Sequence, residues 1–139
     1  MDTSAVPVAV DHFLAEVLPK QRGLTTALHR GDPGPRIAMW SHDDPVTLFG
    51  AQFEGVGWVE LEDKFRQAAK GFGGALGFEF DVVAAGVSGS LAYVVGYEHS
   101  STVVDGKPAT YTMRTTHIYR FEENEWRIIH RHSDIPGPR

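Results

Sequence analysis

The stretch that most limits how this chain can fold is Thr115–Asp134, which reads T-T-H-I-Y-R-F-E-E-N-E-W-R-I-I-H-R-H-S-D. Side chains on a strand point alternately to opposite faces, and this segment fits that period of two on both sides of Glu123-Asn124. It predicts two strands joined by a two-residue turn. With Glu122 and Glu125 flanking the turn, Phe121 pairs with Trp126, Tyr119 with Ile128, His117 with His130, and Thr115 with His132. One face is then aromatic near the turn and rich in histidine at the far end. The other face carries Arg114, Arg120, Arg127 and Arg131 around Ile118 and Ile129. The pattern predicts one wall of a pocket backed by a more polar outer surface.

The rest of the chain supplies partners for this hairpin. From Val8 to Arg30, Val10, Phe13, Leu14, Val17, Leu18, Leu24 and Leu28 recur at steps of three and four, the signature of an amphipathic helix. Pro19 lacks a backbone donor and is expected to kink or split it. Asp32-Pro33-Gly34-Pro35 is a turn cluster. Arg36–Trp40 and Val46–Phe49 read as a small strand pair, and Gly50–Gly57 as a loop. A second helix is predicted over Trp58–Gly71, with Trp58, Leu61, Phe65, Ala68 and Phe72 as its buried stripe. Strands are predicted over Ala75–Val87, Ser90–Val104, Pro108–Phe121 and Trp126–Ser133. Residues 1–7 and 135–139 read as frayed tails of a single domain. Helices first and a long meander afterwards define an α+β layout, with helices on one face of a curved antiparallel or mixed sheet.

Composition excludes several functions. The chain has 139 residues and no cysteine, so disulfides, thiolate catalysis and zinc-finger sites are absent. Its formal net charge is −5 and no basic run occurs, which argues against nucleic acid as a partner. No apolar run reaches the roughly 20 residues of a membrane helix. Asp2 stands where a signal peptide would be basic, so a cytoplasmic location is expected.

The element order is carried by several local motifs. These are Gly31-Asp32, W-S-H-D-D-P-V-T-L-F-G at Trp40–Gly50, L-A-Y-V-V at Leu91–Val95, and the ending at Arg114–Asp134. Together they resemble the SnoaL-like and ketosteroid-isomerase-like members of the nuclear transport factor 2-like superfamily. The last strand also resembles the assembly domain of calcium/calmodulin-dependent kinase. The resemblance implies a cone-shaped curved sheet wrapped around N-terminal helices, a cavity for a hydrophobic small molecule, work without metal or cofactor, and a homodimer. It implies either a cofactor-free isomerase or cyclase acting on a hydrophobic carbonyl compound, or a non-catalytic binding or assembly module. Fold likeness alone does not choose between them.

Asp43-Asp44-Pro45-Val46 resembles the isomerase segment whose aspartate before Pro-Val is the catalytic base, which implies that role for Asp44. The alternative is an exposed turn residue before a proline. The isomerases place an oxyanion-binding tyrosine on the first helix, and Gln21–Leu28 has none. Tyr97 or His117 is the expected substitute donor. Trp40, His42, Trp58, Tyr93, Tyr119 and His130 are the expected ligand-binding residues. The face that Tyr93 and Tyr97 occupy depends on the turn at Asp105-Gly106. A bulged turn puts them on the aromatic face and is the expectation here; a two-residue turn puts them on the opposite one.

Overall fold

The computed structural model describes residues 5–137. Three helices, α1 (Ala5–His29), α2 (Gly34–Met39) and α3 (Trp58–Ala69), pack against one six-stranded sheet. Its strands are β1 (Thr47–Phe49), β2 (Glu54–Val56), β3 (Phe72–Ser88), β4 (Leu91–Val104), β5 (Lys107–Glu122) and β6 (Glu125–Asp134), in the order β2-β1-β6-β5-β4-β3. All neighbours are antiparallel except β1 and β6, so the sheet is mixed, and it does not close on itself. The α+β cone expected from the sequence is the fold observed. Three register shifts along β3 bend the sheet where it wraps α1. Opposite the bend lies Gly96, where a Cβ would run into the Asp81 carbonyl and the Phe80 ring.

Several local expectations give way. Pro19 sits within α1 on its exposed side, and the helix runs unbroken through it. Arg36–Trp40 is not a strand: Pro35 occupies the first turn of α2, where a missing N–H costs nothing. The partner of β1 is instead β2, inside the segment read as a loop. Residues 5–7 belong to α1; of the two predicted frayed tails, residues 1–4 and 138–139 lie outside the described residues.

Two turns decide which side chains face inward. Asp105 and Gly106 both have positive φ, at 51° and 79°, and Val104 pairs directly with Lys107. This is a two-residue turn without the expected bulge. Ala92, Val94, Gly96, Glu98, Ser100 and Thr102 therefore face inward, while Tyr93, Tyr97 and His99 lie on the outer face. At Glu123-Asn124, with φ of 51° and 63°, the hairpin starts in the expected register: Phe121 pairs with Trp126 and Tyr119 with Ile128. A bulge then takes up Ile129, and Ile118 pairs with His130. One extra residue reverses the facing of everything beyond it. His117 lies opposite Arg131, Thr116 opposite His132, and Thr115 opposite Ser133. The predicted pairs of His117 with His130 and Thr115 with His132 do not form. Arg131 enters the interior, and His130 and His132 leave it.

The core has an apolar centre. Phe13 packs edge-on against Tyr119 at 5.1 Å and against Trp126 at 5.3 Å, and Val17, Ala92, Val94 and Ile128 complete the cluster. Leu61 and Phe65 bring in α3, and Trp40 packs on Phe65 at 5.2 Å.

Candidate functional site

Beyond this core the interior opens into a cavity of about 470 Å³, within the roughly 300–1,000 Å³ typical of small-molecule sites. Its walls are mostly apolar: Leu28 from α1, Leu48 from β1, Phe53, Phe65 from α3, Phe72 from β3 and Met113 from β5. Its polar groups come from the far end of the inward faces. Thr25 and His29 are one helical turn apart on α1, Arg36 lies on α2, Glu98 and Ser100 on β4, Tyr111 on β5, and Arg131 and Ser133 on β6.

Glu98 and Arg131 form the fixed centre. Arg131 donates through Nη2 to Glu98 Oε1 at 2.7 Å and through Nη1 to Oε2 at 3.0 Å. Gln21 Nε2 donates to the same Oε2 at 2.8 Å. Glu98 is 2% exposed and Arg131 5%. Burial opposes the Glu98 charge, but Arg131, by charge and by its paired hydrogen bonds, holds the carboxyl far below the usual range. Arg131 Nη1 also donates to His117 Nε2 at 2.9 Å. An imidazole nitrogen that accepts carries no proton, so His117 is neutral and its proton is on Nδ1, 3.4 Å from the Tyr119 hydroxyl. Burial and the adjacent Arg131 both push the His117 pKa well down, in keeping with that tautomer.

His29 and Arg36 stand at the wall itself. His29 Nε2 lies 3.2 Å from the Tyr111 hydroxyl, and burial followed by the nearby Arg36 lowers its pKa. Burial raises the pKa of Tyr111. Arg36 is 6% exposed, with its guanidinium carbon 5.8 Å above the Phe65 ring centre.

Of the residues expected from sequence, His117 and Tyr119 lie in the buried interior, behind Arg131 and clear of the cavity wall. Asp44 is exposed, and its Oδ1 accepts the backbone N–H of Trp58 at 2.8 Å, capping α3. Gly57, the residue before the helix, has no side chain to do this. His42 stacks on Trp58 at 4.0 Å and donates from Nε2 to the Ile37 carbonyl at 2.8 Å. Trp40 is fully buried in the core. Tyr93 and Tyr97 are on the outer face, Tyr93 over Gly86 and Tyr97 beside His99. His130, also outward, bonds through Nδ1 to the Thr47 hydroxyl at 2.7 Å. His117 thus faces inward, away from His130 and His132, which share the outer face. Among the described residues no group of three or more histidines and carboxylates gathers as metal ligands, and no helix is long and apolar enough to cross a membrane.

Sequence reasoning missed His29, Arg36, Glu98, Tyr111 and Arg131. A signal existed in the polar spacing Gln21, Thr25, His29 along α1 and in the alternation Glu98, Ser100, Thr102 along β4.

An open mixed sheet wrapped around helices, with a cavity inside it, defines a cystatin-like, nuclear transport factor 2-like protein. Residues 22–138 match the SnoaL-like domain, and the chain belongs to that family. Solved structures show the same fold at low identity. A ketosteroid isomerase-like protein from Erwinia carotovora atroseptica is 17% identical with a TM-score of 0.71, over 90% of this chain and 97% of that one. A candidate dehydratase of the nuclear transport factor 2-like family from Streptomyces avermitilis is 15% identical with a TM-score of 0.73, over 92% and 99%. A candidate calcium/calmodulin-dependent protein kinase type II association domain from Thiobacillus denitrificans is 18% identical with a TM-score of 0.70, over 85% and 93%. A comparison with the curated proteins finds no match.

Proposed function

We propose that this protein binds a small, largely apolar molecule in the cavity between α1, α3 and the sheet. The observation that carries the reading is a cavity of about 470 Å³ whose apolar walls surround a few buried polar groups. The test is fluorescence of 1-aminoanthracene, a neutral probe of apolar cavities, with wild type and with Ala109→Trp, which fills the cavity from β5. Wild type is expected to enhance the emission and Ala109→Trp to lose most of the enhancement. Equal enhancement by both, or none by wild type, would overturn the reading.

A catalytic version is favoured by one observation, the neutral His29 imidazole 3.2 Å from the Tyr111 hydroxyl in the cavity wall. In that version His29 removes a proton next to a substrate carbonyl and Tyr111 donates to the developing oxyanion, without a cofactor. Asp44 has no part in it, since its carboxylate caps α3 at the surface. Exchange of α-protons from a ketone panel in deuterated buffer, lost in His29→Gln and kept in Asp44→Asn, is the expected result. Loss in Asp44→Asn alone would return the base to the loop. A homodimer through the outer face of the sheet belongs to the same proposal. It is supported by exposed Leu91 and Tyr93, the latter paired with Ile118. Light scattering at micromolar concentration is expected to give twice the chain mass.

A further inference from the structure

Arg36 is a buried charge with no ion-pair partner of its own among the described residues. Among the described residues its guanidinium has no hydrogen-bond partner either, and its Nε is buried with none. Glu98 draws Arg36 only through space, because its carboxylate is held by Arg131. Both oxygens of Glu98 are taken up by Arg131, and one of them by Gln21 as well. Burial first, and then the proximity of Arg131, lowers the Arg36 pKa to about 10, which still leaves it charged at neutral pH. With His29 neutral, Arg36 and Arg131 against Glu98 leave one positive charge uncompensated at the cavity. A charge out of water is costly unless it is paired, and the face of Phe65 offers only part of that compensation. A second buried polar atom at the wall, Thr25 Oγ1, also has no partner.

We propose that the cavity takes a monocarboxylic acid with an apolar body, its carboxylate on the Arg36 guanidinium and its body against Leu28, Phe53, Phe72 and Met113. The proposal rests on the small-molecule reading above and specifies the ligand's charge. A single carboxylate matches the single excess charge, and its two oxygens fit the planar fork of an arginine. A phosphate monoester, carrying up to two negative charges at neutral pH, would bring the second one in beside Glu98.

The test is calorimetric titration of the full chain with two matched pairs, octanoate with octanamide and 3-phenylpropionate with 3-phenylpropionamide. Each pair keeps its shape and changes only the charge. In wild type the acid of at least one pair is expected to bind about 10-fold or more tighter than its amide, the effect of a charge-assisted hydrogen bond out of water. Arg36→Lys keeps that preference. Arg36→Met, checked as folded by circular dichroism, binds acid and amide alike. Equal binding of acid and amide to wild type overturns the carboxylate inference and leaves the cavity reading standing. Tighter binding of phenyl phosphate than of 3-phenylpropionate also overturns it. Binding of no probe overturns both.

Discussion

The interior of the cone has two halves built on the same three strands and held by different forces. In the closed half, β4, β5 and β6 contribute Val94, Tyr119 and Ile128, and α1 contributes Phe13 and Val17. In the cavity half the same strands contribute Glu98, His117 and Arg131, and α1 contributes Gln21 and His29. Stability in the first grows with the apolar area removed from water, and most side chains of suitable volume and shape will serve. In the second, each group depends on its neighbour for charge, orientation and tautomer. Arg131 keeps Glu98 ionised, and its donation to Nε2 keeps His117 neutral. A packed half can absorb change; a networked half fails when one member is removed.

Substitution can sharpen or break that contrast. Arg131→Met leaves the Glu98 charge buried without its counter-charge and is expected to cost about 3–5 kcal/mol in urea unfolding. Adding Glu98→Gln should recover much of this loss; a double variant no more stable than the single one would remove the distinction between the halves. Ile128→Ala, three residues along the same strand, is expected to cost about 2–5 kcal/mol. That loss should be indifferent to Glu98→Gln, because the two sites add independently.

Acid should expose the cavity half next. His117 is neutral when folded with its pKa depressed, so the unfolded chain binds the extra proton first. Its contribution is complete above the unfolded value of 6.5 and falls as pH drops below it, by up to about 1.4 kcal/mol per pH unit. The Glu98 contribution, also from a depressed pKa, is lost below its unfolded value of 4.5. His117→Gln can still accept from Arg131 and should flatten stability between pH 6.5 and 5; His29 and His130 supply what slope remains. The smallest effect belongs to the loop outside both halves. Asp44→Ala removes the cap of α3 and should cost about 1 kcal/mol by the same unfolding measurement.

The closed half was legible from sequence because packing leaves a periodic trace. The stripes of α1 and α3 and the pairs Phe121–Trp126 and Tyr119–Ile128 follow from spacing alone. The cavity half was not, because its contents depend on register. The one hint in β6 is the doublet Ile128-Ile129, which interrupts the alternation where the bulge falls. On β4 the aromatic residues attracted the functional reading, while the polar residues between them faced the cavity. The Asp-Pro-Val likeness at Asp44 marked the right loop for the fold, but a motif does not fix where its carboxylate points.

The bulge at Ile129 acts on the last strand as a frameshift acts on a message. Every residue before it is read in one frame and every residue after it in the other. The chemistry of the chamber is therefore written by a count as much as by identities. A chain lacking Ile129 alone would keep every functional group it has now. It would also keep Arg131 and Ser133 inside, because Ile129 is the residue the bulge sets aside, and without it Ile128, His130 and Arg131 alternate in the facing they have now. Pairing Ile129 in the ladder with no residue lost would instead turn Arg131 and Ser133 out and bring His130 and His132 inside, so one unpaired residue decides which groups the chamber holds.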